Sequence, residues 1–136
     1  MNELGKKVLI VEDEEPMLRL LSEGLQKAGY ATISARDGEV ALTSALENRP
    51  DLILLDIMLP KINGLMMLEN LRKGGGLYGK DVPVILLTNL SPDNEQVNKV
   101  IAETSPTYYF VKSDWTVEEV IEKVKERLNP GRSIIS

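Results

Sequence analysis

Short apolar runs alternate with segments of helical periodicity along the chain, and this order is the strongest constraint on its fold. Runs rich in Val, Ile and Leu predict five strands. They cover Lys7–Val11, Ala31–Ala35, Asp51–Leu55, Val82–Thr88 and Tyr108–Lys112. Strands that alternate with helices form parallel sheets with helices on both faces. The pattern therefore predicts an α/β fold made of five βα units.

Apolar residues at helical spacing predict a helix after each strand. The first helix begins at Pro16, and the second follows the Asp37-Gly38 turn. The next two helices cover Leu65–Lys73 and Asp93–Glu103, and the last begins at Thr116. Thr116 and Glu119 match a capping box, which marks the start of the last helix. The Gly-rich segment Gly74–Lys80 matches part of a phosphate-binding P-loop. It precedes a strand instead of a helix, however, and we predict a flexible connection there.

The composition of the strands predicts their order in the sheet. Strands 1, 3 and 4 are almost entirely apolar, as central strands are, whereas Thr32 and Ser34 place strand 2 at an edge. Right-handed crossovers then favour a flavodoxin-like, doubly wound parallel sheet with the order 2-1-3-4-5. We expect one domain over residues 1–136, with its core at about 6–129 and a short flexible C-terminal tail.

The composition excludes several kinds of chemistry. The 136 residues include no Cys and no His, which excludes disulfides, thiolate or imidazole catalysis and metal ligation by Cys or His. The formal net charge of −5 argues against direct nucleic-acid binding. No apolar run approaches membrane-spanning length, and the N-terminus lacks a signal-peptide pattern. We therefore expect a cytoplasmic protein without membrane contact, in which any metal is held by oxygen.

Polar side chains stand at the carboxyl ends of the strands, where the functional crevice of such a sheet lies. Glu12 and Asp13 follow the first strand, and Asp56 follows the third. Three neighbouring carboxylates repel one another unless a cation compensates, and Mg²⁺, with Mn²⁺ as the alternative, prefers such oxygen ligands. Thr88 offers a hydroxyl and Lys112 an ammonium group to a phosphate. The set predicts phosphoryl transfer to Asp56 as a carboxylate nucleophile.

In these residues the chain resembles the receiver domains of two-component response regulators. The matching motifs are Glu12-Asp13, Asp56-Ile-Met-Leu-Pro60, Asn63-Gly64, Leu87-Thr88 and Tyr109-Phe-Val-Lys112. The resemblance spans about residues 6–129. It implies phosphorylation of Asp56 from a phosphohistidine donor, with Mg²⁺ bound by Asp13, Asp56 and the Met58 carbonyl. It also implies that Glu12 acts through water and that the backbone amides of Met58 and Asn89 hold phosphoryl oxygens.

The resemblance further implies a switch and its partners. Phosphorylation draws Thr88 inward, and the ring of Tyr109 rotates into the vacated space. The surface of the predicted helix at 93–103, the fifth strand and the last helix then binds a downstream protein or supports a phosphorylation-dependent homodimer. The donor is a sensor histidine kinase or a histidine phosphotransfer protein. Few residues follow Leu128, so we expect a stand-alone receiver. The resemblance implies a phosphoacceptor signalling domain that catalyses only its own phosphorylation and dephosphorylation, and not an enzyme.

Three other interpretations compete with this one, and the sequence argues against two of them. A receiver-like module that binds partners without phosphorylation is suggested by Asn89, where alanine is frequent, and by Ser113, where proline is common. A haloacid-dehalogenase-like phosphatase would share Asp56 but needs a general-acid aspartate where Met58 stands. A flavodoxin that binds FMN would need a phosphate-binding loop where Glu12 and its acidic neighbours stand.

Overall fold

Strands and helices alternate along the chain as expected. The structure is a computed structural model, and it describes residues 5–56, 64–88, 95, 98, 99, 102, 108–111 and 116–129. The elements in chain order are β1 (Lys7–Val11), α1 (Glu15–Lys27), β2 (Ala31–Ala35), α2 (Gly38–Asn48), β3 (Leu52–Asp56), α3 (Gly64–Gly74), α4 (Gly76–Asp81), β4 (Val84–Thr88), β5 (Tyr108–Val111) and α5 (Val117–Leu128). Within the predicted helix at 93–103, the described residues 95, 98, 99 and 102 are helical. No helix in the described ranges combines the length and apolar character that crossing a bilayer requires.

The five strands form one parallel sheet in the order β2-β1-β3-β4-β5. β1 lies between β2 and β3, with Val11 opposite both Ala35 and Leu55. β4 lies between β3 and β5, with Leu87 opposite Asp56. This order confirms the predicted flavodoxin-like topology, and β2 lies at an edge as its polar residues predict.

Two hydrophobic layers cover the sheet, because consecutive strand residues point to opposite faces. On β3, Leu52 and Leu54 join the layer that contains residues of α1 and α5, whereas Ile53 and Leu55 join the layer with α2 and α3. All four side chains are fully buried. Burial of each stabilises the fold by about 1.5–3 kcal/mol. A strand covered on both faces stays apolar until its last residue, and in β3 that residue is Asp56.

Polar caps begin two of the helices. The capping box predicted at Thr116 is confirmed: its Oγ1 accepts from the Glu119 amide at 3.2 Å, and Glu119 Oε1 accepts from the Thr116 amide at 2.8 Å. At α2, Asp37 Oδ1 accepts from the Val40 amide at 2.9 Å. These caps satisfy amides that have no partner inside the helix. They fix the points at which the chain turns back over the sheet.

The prediction of a flexible connection at Gly74–Lys80 was wrong, because this segment contains most of the short helix α4. α4 packs on the end of α3. Arg72 Nη1 of α3 donates hydrogen bonds to the carbonyls of Gly79 at 3.0 Å and Val82 at 2.7 Å. Glycine disfavours a helix, so propensity does not account for α4. Tertiary contacts with α3 hold the segment in helical form.

Tyr30 carries a buried hydroxyl in the layer shared by the sheet, α1 and α5. The residue is 3% exposed, and in the described structure its Oη has no hydrogen-bond partner. Burial and, secondarily, the charge of Glu122 raise the pKa of Tyr30 above its usual value of 10.0. A buried hydroxyl without a partner is destabilising by about 1–3 kcal/mol. We therefore expect Tyr30→Phe to increase the free energy of unfolding in urea by about 1 kcal/mol at neutral pH.

Alkaline pH should widen this difference. Because the folded pKa of Tyr30 is raised, the unfolded chain ionises first, and wild type loses stability as the pH rises above 10. Tyr30→Phe escapes that loss. Tyr78→Phe is the matched control, because the Tyr78 hydroxyl donates to the Pro50 carbonyl at 2.6 Å, and its removal should destabilise by about 1 kcal/mol. A loss of stability in both variants would contradict the assignment of Tyr30.

Candidate metal and phosphoryl site

Acidic residues follow two neighbouring strands at the point where these strands end. Glu12 and Asp13 come directly after β1, and Asp56 is the last residue of β3. Val11 lies opposite Leu55 in the parallel register, so positions 12 and 56 are neighbours across the two strands. The order of the sheet thus brings acidic residues from distant parts of the sequence to one edge.

The three carboxylates form a compact pocket. One oxygen from each of Glu12, Asp13 and Asp56 lies within 4.8 Å of the other two. Glu12 is 1% exposed and Asp56 is 3% exposed, whereas Asp13 is exposed. Glu12 Oε2 accepts a hydrogen bond from the Glu14 amide at 3.2 Å, which restrains its orientation. Two carboxylates therefore form the floor of the pocket, and Asp13 forms its solvent side.

This set of donors fits a hard divalent cation. Mg²⁺ holds oxygen ligands at about 2.1 Å, so that two ligands on one ion lie roughly 3–4 Å apart. The spacing of the three carboxylate oxygens is close to that range. Their negative charges repel one another at this distance, and a bound divalent cation removes the repulsion. Carboxylates are ligands that suit Mg²⁺ and Mn²⁺.

An arginine directly follows β2, the strand beside β1, and the sequence interpretation missed it. Arg36 forms an ion pair with Glu15, the first residue of α1. Both side chains are slightly more than half exposed. The position of Arg36 directly after β2 could have identified it in the sequence. Because β2 and β1 are parallel, both strands end at the same edge of the sheet, and Arg36 follows β2 as Glu12 follows β1. In the parallel register, position 36 therefore lies beside position 12, on the β2 side of β1.

The structure accounts for part of the predicted set. The residues that it brings together at the pocket are Glu12, Asp13 and Asp56. Thr88 ends β4 beside β3, and Tyr109 lies in β5, but their side chains are outside the described structure. The predicted residues that lie wholly outside it are Met58, Asn89 and Lys112. Their roles stay predictions.

Residues 8–125 match the family model of the response regulator receiver domain. The chain belongs to this receiver family. Receivers are phosphoacceptor signalling domains of two-component systems, not enzymes of the usual kind, and they bind Mg²⁺ or Mn²⁺ at an acidic pocket. They interact in general with histidine kinases and with downstream effectors. Membership sets aside the phosphatase and flavodoxin interpretations.

Curated proteins and solved structures resemble this receiver at moderate identity. It is 35% identical to the alkaline phosphatase synthesis transcriptional regulatory protein PhoP of Bacillus subtilis (strain 168) over 122 residues, which are 90% of this chain and 48% of PhoP. The receiver spans about half the length of the curated relatives it matches.

Two of the similar structures match over nearly their whole length. The chemotaxis response regulator CheY4 of Vibrio cholerae is 30% identical, with a TM-score of 0.76, and the match covers 90% of this chain and 98% of CheY4. The Mn²⁺-bound form of response regulator Rcp1 is 30% identical, with a TM-score of 0.74 and coverage of 89% and 92%. The similarity therefore extends over about nine-tenths of this chain.

Proposed function

We propose that this receiver accepts a phosphoryl group from a phosphohistidine donor onto Asp56, in a reaction that needs Mg²⁺ or Mn²⁺. The observation that carries the proposal is the meeting of Glu12, Asp13 and Asp56 within 4.8 Å at the ends of β1 and β3. The burial of Asp56 supports its role as the acceptor, because a water-poor pocket protects the acyl phosphate from hydrolysis. The donor is a sensor histidine kinase or a histidine phosphotransfer protein.

In the proposed reaction, a carboxylate oxygen of Asp56 attacks the phosphorus of the donor. The new O–P bond forms as the P–N bond to the donor imidazole breaks, and the electron pair of that bond goes to the imidazole nitrogen. Asp13, Asp56 and the Met58 carbonyl would hold the metal ion, and Glu12 would act through water. A bound divalent cation neutralises charge on the phosphoryl oxygens.

The remaining roles of the proposal concern phosphoryl binding and signalling. Lys112, Thr88 and the backbone amides of Met58 and Asn89 hold the phosphoryl oxygens. Thr88 and Tyr109 transmit the change to a surface made of residues 93–103, β5 and α5. This surface binds a downstream protein or a second copy of the receiver after phosphorylation.

Four predictions from the sequence are not part of this proposal. They are a single domain over residues 1–136, stand-alone action, the absence of direct nucleic-acid contact and a cytoplasmic location. The matched relative PhoP is about twice as long and is named as a transcriptional regulator. These four statements stay predictions.

Phosphorylation of the full chain by a small phosphodonor tests the proposal. After incubation with acetyl phosphate and Mg²⁺, we expect intact-mass spectrometry to show the addition of one phosphoryl group, which EDTA prevents. Asp56→Asn should abolish the addition, because an amide is not a nucleophile toward phosphorus at neutral pH. Asp81→Asn is the matched control: Asp81 is exposed at the end of α4, and this variant should react as wild type does.

Two outcomes would contradict the proposal. Wild type that gains no mass in the presence of Mg²⁺ would show that the pocket accepts no phosphoryl group. A downstream partner with the same affinity for phosphorylated wild type and for Asp56→Asn would instead favour a module that binds without phosphorylation.

A further inference from the structure

We propose that Arg36 is a binding residue for the phosphoryl donor: its guanidinium leaves Glu15 and binds the phosphoryl group as the donor enters the pocket. The inference rests on the proposed function, and it names a residue that the acceptor chemistry itself does not require. It starts from the ion pair between Arg36, which directly follows β2, and Glu15, the first residue of α1.

The backbone places Arg36 beside the pocket. Val11 lies opposite Ala35 in the register of β1 and β2, and the Glu12 amide donates to the Ala35 carbonyl at 3.0 Å. Arg36 is the next residue, so it leaves the sheet alongside Glu12 and Asp13. Its partner Glu15 follows Asp13 by two positions and opens α1. The ion pair therefore joins the end of β2 to the first residue of α1.

The charges around the pocket explain why a cation is useful at this position. The carboxylates of Glu12, Asp13 and Asp56 form the pocket, and Glu14 and Glu15 follow Asp13 in the chain. A phosphodonor is also an anion, so this edge of the sheet repels it before it can reach Asp56. A guanidinium at this edge lowers the repulsion along the path of the donor. Arginine is also well suited to phosphate, which it binds through two parallel N–H···O bonds.

The exposure of the ion pair allows Arg36 to leave Glu15 at little energetic cost. The side chains of Arg36 and Glu15 are 56% and 55% exposed, and exposed ion pairs contribute little to stability. Little is lost, therefore, when Arg36 turns from a carboxylate to a phosphoryl group with more negative charge. Glu15 competes with the donor for the same guanidinium. Neutralising Glu15 should consequently have the opposite effect from neutralising Arg36.

Rates of phosphorylation by two small donors test the inference. Acetyl phosphate carries more negative charge at neutral pH than phosphoramidate does. With the full chain and saturating Mg²⁺, we expect Arg36→Gln to lower the second-order rate constant for acetyl phosphate about fivefold at low salt. The decrease should be smaller for phosphoramidate and should shrink as salt is added. Glu15→Gln should raise the rate constant for acetyl phosphate by about twofold.

Arg127→Gln controls for the loss of a positive charge. Arg127 is an exposed residue in the last turn of α5, a helix that runs away from the carboxyl edge of the sheet, and its variant should react as wild type does. The affinity for Mn²⁺, measured by electron paramagnetic resonance, separates donor binding from metal binding. We expect Arg36→Gln to bind Mn²⁺ at least as tightly as wild type, because the variant lacks a nearby positive charge.

Four results would overturn the inference. Arg36→Gln could react with both donors at the wild-type rate, which would leave the proposed function intact. It could react more slowly with both donors by the same factor at every salt concentration, which would indicate a structural role. It could bind Mn²⁺ more weakly, so that the slower rate would come from the metal. Wild type that accepts phosphate from neither donor would overturn the inference and the proposed function together.

Discussion

We expect that replacing Asp13 with asparagine weakens the binding of Mg²⁺ by about a hundredfold. The substitution removes one of three carboxylates whose oxygens lie within 4.8 Å of one another. Asp13 is the exposed member of the set, so replacing its carboxylate does not alter a buried side chain. Glu12 and Asp56 are both buried, and changes at either one would mix the loss of a ligand with changes in the packing beneath it. Asp13 is therefore the cleanest test of the metal site.

Thermal unfolding of the full chain, with Mg²⁺ and with EDTA, measures this effect. At a Mg²⁺ concentration of about 100 times the wild-type Kd, binding stabilises wild type by about 2.7 kcal/mol and a variant with hundredfold weaker binding by about 0.4 kcal/mol. In EDTA the order reverses, because Asp13→Asn has less repulsion among its carboxylates than wild type has. Glu47→Gln, at an exposed position in the last turn of α2, should show the wild-type response. A full response to Mg²⁺ in Asp13→Asn would exclude Asp13 as a ligand.

The sheet could be predicted from the sequence because its strands are buried on both faces. The run Leu52–Leu55 can only be accommodated between two helical layers, and the polar positions of β2 fit only an edge. Once the order of the strands is known, the edge at which they end is known as well. Glu12, Asp13 and Asp56 were predicted together for that reason, and the structure places their carboxylates within 4.8 Å.

The features that could not be predicted depend on contacts between side chains or backbones distant in the fold. α4 forms although its sequence is rich in glycine, because Arg72 donates hydrogen bonds to the carbonyls of Gly79 and Val82 and because the backbone of α4 lies against α3. No local pattern encodes that approach. Arg36 was missed for a different reason: the sequence interpretation considered the ends of strands 1, 3, 4 and 5 and left out the end of the edge strand β2. The residue that follows that strand also lies at the edge of the sheet where β1 ends.

The packing of α4 on α3 and the carboxylate pocket lie at opposite edges of the sheet. α4 and the contacts of Arg72 lie near the amino end of β4, which follows α4 directly, whereas the carboxylates lie at the opposite ends of β1 and β3. Substitutions near α4 should therefore change the free energy of unfolding without changing the charge at the pocket. This separation allows a strong test of the packing that does not depend on the proposed function.

Replacing Gly79 with alanine should lower the free energy of unfolding by about 3 kcal/mol. A Cβ at this buried glycine would lie 2.2 Å from the carbonyl oxygen of Leu71 and 3.2 Å from its carbonyl carbon. The Leu71 carbonyl already accepts a hydrogen bond from the Gly75 amide at 3.0 Å, so α3 and the start of α4 fix its position. The added methyl group can be accommodated only if α4 moves away from α3. That movement also stretches the hydrogen bonds from Arg72 to the carbonyls of α4 and Val82.

Gly74→Ala makes the same chemical change on the same segment and separates packing from propensity. A Cβ at Gly74 would have no atom within 4 Å, and the residue ends α3. Alanine favours a helix over glycine by about 0.5–1 kcal/mol, so this variant should be as stable as wild type or slightly more stable. Urea denaturation followed by circular dichroism compares the two variants directly. Equal free energies of unfolding for Gly79→Ala and Gly74→Ala would mean that α4 does not lie against the Leu71 carbonyl. Contact with that carbonyl is the reason to expect a loss of stability at Gly79 and not at Gly74.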